Sequence, residues 1–149
     1  KNYPAYFRFL RSRLRDEGRL LNHCITRPDN KHAGLPTRGF INRYVFPDGE
    51  LTGSGDIVRV IEDEGLEVKH HENLREHYAL TLAGWSTNLA KAWDACVALA
   101  GLGRARVWGL YLAGSRIGFQ DNGIQLHQVL ATRTSDAGAA GYPLRPQFT

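Results

Sequence analysis

Apolar side chains return every three or four positions at the start of the chain, at Tyr3, Tyr6, Phe7, Leu10 and Leu14, while Arg8, Arg11 and Arg15 fall on another face. That period predicts an amphipathic helix, ended by the polar string "RDEGR". Residues 19–25 follow as a short apolar run between Gly18 and Pro28, the pattern of an interior strand in a mostly parallel sheet. Residues 28–40, "PDNKHAGLPTRGF", are dense in turn formers and predict a loop placed to cover a site. In "FINRYVFPDGELTGSG" aromatic and aliphatic residues are broken by turn signals at Pro47, Asp48 and Gly49.

Ser54 is then expected to cap a helix that puts Ile57, Val60 and Ile61 on one face and stops at Gly65, before a short strand in "LEVKHH". From Tyr78 onward, Leu82, Trp85, Leu89, Trp93 and Cys96 trace the stripe of one long helix. After Gly101 and Gly103, "RARVWGLYLAGSRIGF" is apolar on more than one face and predicts a well-buried helix. "GIQLHQVLAT" predicts a closing strand, and residues 134–149 show no period, so a poorly ordered tail is expected there. Helix, strand, helix, strand, helix, helix, strand is the order of an α/β domain over residues 1–133. No strand precedes the first helix, and the chain opens on Lys1 in what reads as mid-helix, so the second half of a larger α/β unit is expected.

Composition narrows this picture only modestly. With 149 residues and 42% apolar content there is material for one domain with a real core. A formal charge of +4 permits an anionic partner without choosing between a phospholipid surface and nucleic acid. Cys24 and Cys96 lie far apart with no CxxC or Cys/His spacing, which points away from a disulfide framework or a zinc site and toward a reducing, cytoplasmic setting. No run is long and apolar enough for a membrane span, so any membrane contact is expected to be peripheral.

Few residues carry candidate chemistry. "GSGD" at 53–56 resembles a nucleotide-binding glycine turn, but no apolar strand precedes it and Val58 stands where the pattern needs glycine, so a helix-start turn fits better. His23 and Ile25 sit at the carboxyl end of the first strand, where open α/β sheets bind ligands. A neutral imidazole there accepts a proton or holds a small anion; the alternative is a core histidine bonded to backbone. Tyr78 opens the long helix, with its hydroxyl seeking a substrate, an anion or a carbonyl. Adjacent His70 and His71 point to opposite faces of a strand and read as solvated, while His127 and His32 read as structural or exposed. The arginines of the first helix lack the interleaved aromatics of a single-strand nucleic-acid binder, and Trp85, Trp93 and Trp108 fit core stripes.

Taken in order, "GRLLNHCITRP", "FINRYVFPDGEL", "GLEV", "ENLREHYALTLAGW", "RVWGLYLAGSRIGF" and "GIQLHQVL" resemble one family, the cyclopropane-fatty-acyl-phospholipid and mycolic acid cyclopropane synthases. These are class I S-adenosylmethionine-dependent methyltransferases. The resemblance implies a partial Rossmann-like fold, with the last three strands of a seven-stranded sheet and their helices. It implies an S-adenosylmethionine site in a half preceding Lys1, so no cofactor-binding residue is assigned here and the isolated chain is expected to be inactive.

The resemblance further implies methyl transfer to a cis double bond of a phospholipid acyl chain, then ring closure by proton loss to a bound bicarbonate. By position, His23, the backbone of Ile25 and Tyr78 would hold the bicarbonate. Phe46, Leu51, Leu82, Ser115 and Phe119 would line the acyl cavity. His70 departs from the acidic residue that relatives tend to carry, and Cys24 from a small residue or threonine. Unsaturated phospholipid acyl chains at the inner membrane surface are the implied partners, with no nucleic acid, no metal, and a homodimer possible. Two other readings remain: a non-catalytic lipid-surface or scaffold module, and a related methyltransferase giving branched or oxygenated chains.

Overall fold

Asn2 and Pro4 start the first helix: the Asn2 side chain accepts the Ala5 N–H at 3.1 Å, and proline in the first turn forfeits no helical hydrogen bond. The computed structural model describes residues 2–31, 39–47 and 49–145. They form α1 (Tyr3–Arg13), β1 (Arg19–Thr26), α2 (Phe40–Tyr44), α3 (Ser54–Asp63), β2 (Glu67–Asn73), α4 (Arg75–Lys91), α5 (Trp93–Ala100), α6 (Leu102–Gln120) and β3 (Gln125–Thr132). His32, most of the turn-rich stretch at 28–40, and Asp48 lie outside the described residues.

The strand order is β1-β3-β2, and β3 runs antiparallel to both neighbours. Among the described residues β1 pairs only with β3. β1 and β2 are parallel to each other but are separated by the last strand. Because β3 is central and covered on both faces, Leu126, His127, Val129, Ala131 and Thr132 are all buried.

Alternation along β3 divides the core into two layers. On one face Val129 and Ala131 meet Phe7 of α1, Ile57, Val60 and Ile61 of α3, and Leu66. On the other, Leu126 meets Ala79 and Leu82 of α4 with Leu112 and Phe119 of α6. Phe7 and Phe119 are both fully buried, each stabilising its layer by roughly 2–3 kcal/mol. Two arginines of α1 tie that helix to the end of α3. Arg8 grips Glu64 through two bonds of 2.9 and 3.0 Å, and Arg11 donates to the Gly65 carbonyl at 3.0 Å. Gly65 takes φ +80, which ends α3 as its position predicts.

Two helix boundaries differ from expectation. Ser54 is the first helical residue rather than the cap; Gly53 occupies the cap position and offers no side chain, while Thr52 donates to Asp56 at 3.2 Å. The single stripe from Leu82 to Cys96 belongs to two helices, because the backbone turns at Ala92, which ends α4 and begins α5. Among the described residues no further helix or strand follows β3, yet Thr134 donates to Glu67 at 3.0 Å, and Arg19 reaches both the Gly141 carbonyl and the Tyr142 ring. Residues 146–149 lie outside the described residues.

Candidate functional site

The strand alternation that gives Leu20 and Cys24 to the α1–α3 layer turns His23 and Ile25 toward α4 and α6. Register sets their partners: His23 lies opposite Gln128, and Ile25 opposite Leu126. The His23 side chain is exposed, and its Nδ1 lies 3.2 Å from Nε2 of Gln128.

Tyr78 is brought to the same place by the start of α4. The Leu74 N–H bonds the Leu126 carbonyl at 2.8 Å, fixing the helix to β3, and Asn73 accepts the Arg75 N–H at 2.9 Å. Arg75 then crosses to the Phe119 and Gln120 carbonyls at 2.6 and 2.9 Å, closing the end of α6. The Tyr78 ring meets Phe119 edge-on with centroids 5.0 Å apart, Trp85 at 5.6 Å and His23 at 6.3 Å. Burial, and then the neighbouring Tyr111, raise its pKa above the ordinary phenol value. Its hydroxyl therefore keeps its proton and can donate it to an anion.

Beside this pair lies an apolar cavity of about 480 Å³, between α2, the segment after it, and α6. Ile25 forms part of its wall, so the cavity adjoins the His23 end of β1. Of the five residues expected to line an acyl cavity, Phe46, Leu51 and Ser115 border this space. Leu82 and Phe119 do not; they are 1% and 0% exposed and lie in the core against Leu126, because the stripes of α4 and α6 turn them toward β3. The wall also includes Phe40, Ile41, Tyr111, Gly114 and Ile124, which sequence reasoning did not single out. Tyr111 stands four positions before Ser115, one turn along the same helical face, and its ring meets Phe46 edge-on at 5.7 Å.

His127 and His71 lie apart from this constellation. His127 is buried on the opposite face, with Nδ1 2.7 Å from the Thr26 hydroxyl. His71, expected to be solvated, is exposed but its ring lies tilted against that of His127 with centroids 4.7 Å apart. A register shift between Val68 and His70 breaks the simple alternation of β2 there.

The 53–56 turn offers no cofactor cradle. A Cβ at Gly53 would fall 2.0 Å from Asn30 Oδ1, and one at Gly55 2.6 Å from Asn30 Nδ2, so the space that glycine opens is filled by Asn30. Among the described residues no cluster of three or more His, Cys, Asp or Glu could hold a metal, and no helix is long and apolar enough to cross a membrane.

Comparison with known proteins gives a consistent picture. The sequence pattern of the family described as mycolic acid cyclopropane synthetase matches residues 1–129. A "Probable fatty acid methyltransferase" of Mycobacterium tuberculosis is 58% identical over 98% of this chain and 34% of its own length. A protein of the same description from Pseudomonas putida is 41% identical over 89% of this chain, again 34% of its own length. The chain thus spans about a third of the length of the curated relatives it matches. The crystal structure of the mycolic acid cyclopropane synthase CmaA1, complexed with SAH and CTAB, superimposes with a TM-score of 0.76 at 28% identity, over 87% of this chain and 49% of that one. The three strands and their helices correspond to part of that class I methyltransferase fold.

Proposed function

We propose, for a chain that belongs to the mycolic acid cyclopropane synthetase family, that it supplies the anion-holding and acyl-binding part of a methyltransferase that cyclopropanates cis double bonds in phospholipid acyl chains. The observation that carries this reading is the convergence of His23 and Tyr78 beside an apolar cavity walled by Ile25. S-adenosylmethionine, held by residues other than those described here, would supply the methyl group. A bicarbonate anion would supply the base.

Each described residue has a physical task in that scheme. The His23 ring presents an N–H and Tyr78 a phenolic O–H that stays protonated, two donors suited to one small anion. The backbone of Ile25 lies at the same strand end. Phe46, Leu51, Tyr111 and Ser115 keep water from the acyl chain. A cation developing on that chain is quenched by water, so exclusion is a chemical requirement. The exposed Phe46 ring edge-on to Tyr111 is also placed to face positive charge.

The test uses the longest natural polypeptide that contains this chain, with S-adenosylmethionine and vesicles of monounsaturated phospholipid. Cyclopropyl methylene protons in the extracted lipid are expected, and His23→Gln and Tyr78→Phe should each reduce them strongly. Near-normal ring formation in both variants would overturn the assignment of the pair. A second reading is favoured by the descriptions of the two relatives, which name fatty acid methylation and not ring closure. In that case the same cavity yields a methyl-branched or oxygenated chain, and the lipid spectrum shows branch or oxygen signals without the ring.

A further inference from the structure

We propose that Gln128 is a positioning residue for His23: its carboxamide holds Nδ1 as an acceptor and keeps the ring proton on Nε2, where an anion needs a donor. The inference rests on the bicarbonate reading above for its purpose, but not for its geometry. Nε2 of Gln128 lies 3.2 Å from Nδ1 of His23, and an amide NH₂ only donates, so this arrangement assigns Nδ1 as the acceptor. The proton then resides on Nε2, on the side of the ring away from Gln128.

The contact is built into the sheet. His23 and Gln128 are direct cross-strand partners, so their side chains rise from the same face. Gln128 is also opposite Glu72 on its other side, which places it mid-strand in β3 with ladders to both neighbours. A glutamine fixed this way orients the imidazole as the outer partner of a ligating histidine does, by binding the nitrogen that does not face the ligand. Among the described residues, Glu72 lies across β3 with His70 Nε2 3.7 Å from its carboxylate, and Tyr78 faces His23 from α4. The Nδ1 contact is the one to Gln128, so the tautomer is assigned to the amide. A carboxylate at 128 would reverse the assignment, since it only accepts and would draw the proton onto Nδ1.

The decisive measurement is the two-bond ¹H–¹⁵N spectrum of the His23 ring in the labelled chain, under conditions where the ring is neutral. The native chain should show the Nε2–H tautomer; a predominant Nδ1–H pattern overturns the proposal and needs no variant. Gln128→Glu should move the ring to Nδ1–H or to the doubly protonated form, and Gln128→Met should give a mixture. An unchanged tautomer in both variants also overturns it. Bicarbonate titration, followed on the same resonances, should weaken about tenfold in Gln128→Met, the loss of one modest hydrogen bond's preference. If the tautomer shifts as stated while bicarbonate perturbs none of the proteins, the positioning role stands and the anion reading fails.

Discussion

The Tyr78 ring lies edge-on to Phe119, with centroids 5.0 Å apart and planes at 69°. The contact joins the first turn of α4 to the last turn of α6, so the tyrosine is held by its ring and its hydroxyl is left for other work. Tyr78→Phe should therefore leave the thermal midpoint nearly unchanged while lowering lipid modification at least tenfold, the scale of a lost hydrogen bond to a charged group. Calorimetry and lipid analysis on the same preparation check the split. A large drop in midpoint would mean that the hydroxyl serves the fold.

Phe119 should behave in the opposite way. It is fully buried against Leu126 and Leu82, and Phe119→Ala is expected to cost about 3–5 kcal/mol in urea unfolding. A variant of normal stability with altered acyl preference would return Phe119 to the cavity wall.

Gly114 offers a way to close the cavity without harming the helix. It lines the apolar space, and a Cβ added there meets nothing within 4 Å. Gly114→Leu should gain roughly 0.5–1 kcal/mol of helix propensity while its side chain fills part of the cavity. Higher stability with lower uptake of long acyl chains is the expected pair of results, read by thermal melts and by competition between chain lengths.

Acid should weaken the fold through the His71–His127 contact. Burial, and then the charge of a neighbouring histidine, hold both rings below the ordinary histidine pKa: His70 acts on His71, and His71 on His127. The unfolded chain therefore takes up protons first as pH falls below about 6.5. This contribution to stability is complete above that value and is lost as pH drops toward the folded-state pKa values. Urea midpoints at about pH 7.5 and 5.5 should show the loss, and His71→Gln should make it smaller. An identical pH dependence in the variant would remove this ring pair as its source.

The isolated chain is expected to give no heat with S-adenosylmethionine in titration calorimetry, because Asn30 fills the space above Gly53 and Gly55. Saturable binding would show that residues of this chain complete a cofactor site that neither the glycine turn nor the strand ends reveal.

Much of the layout was legible in local pattern. The apolar run at 19–25 became β1, one residue longer, and Ile57, Val60 and Ile61 became the buried face of α3. The break at Ala92 was not legible, because alanine is a good helix former and the apolar stripe continues through Leu89, Trp93 and Cys96. Nor was the insertion of β3 between β1 and β2, since strand pairing is non-local and leaves no mark on the period of either strand. At the site, strand-end position pointed to His23, whereas Gln128 became visible only once register set it opposite.

The central place of β3 has a consequence for the order in which the fold can assemble. Among the described residues β1 and β2 have no ladder with each other, so the ladders of the three-stranded sheet wait for residues 125–132. Helices α1 to α6 can form from local contacts as they emerge, but among the described residues the strands that carry His23 and His71 find their ladder partner only in β3. Their closure spans much of the chain, which makes that docking the slow, high-contact-order step of folding. Damage to β3 should therefore appear as slowed refolding of the whole sheet.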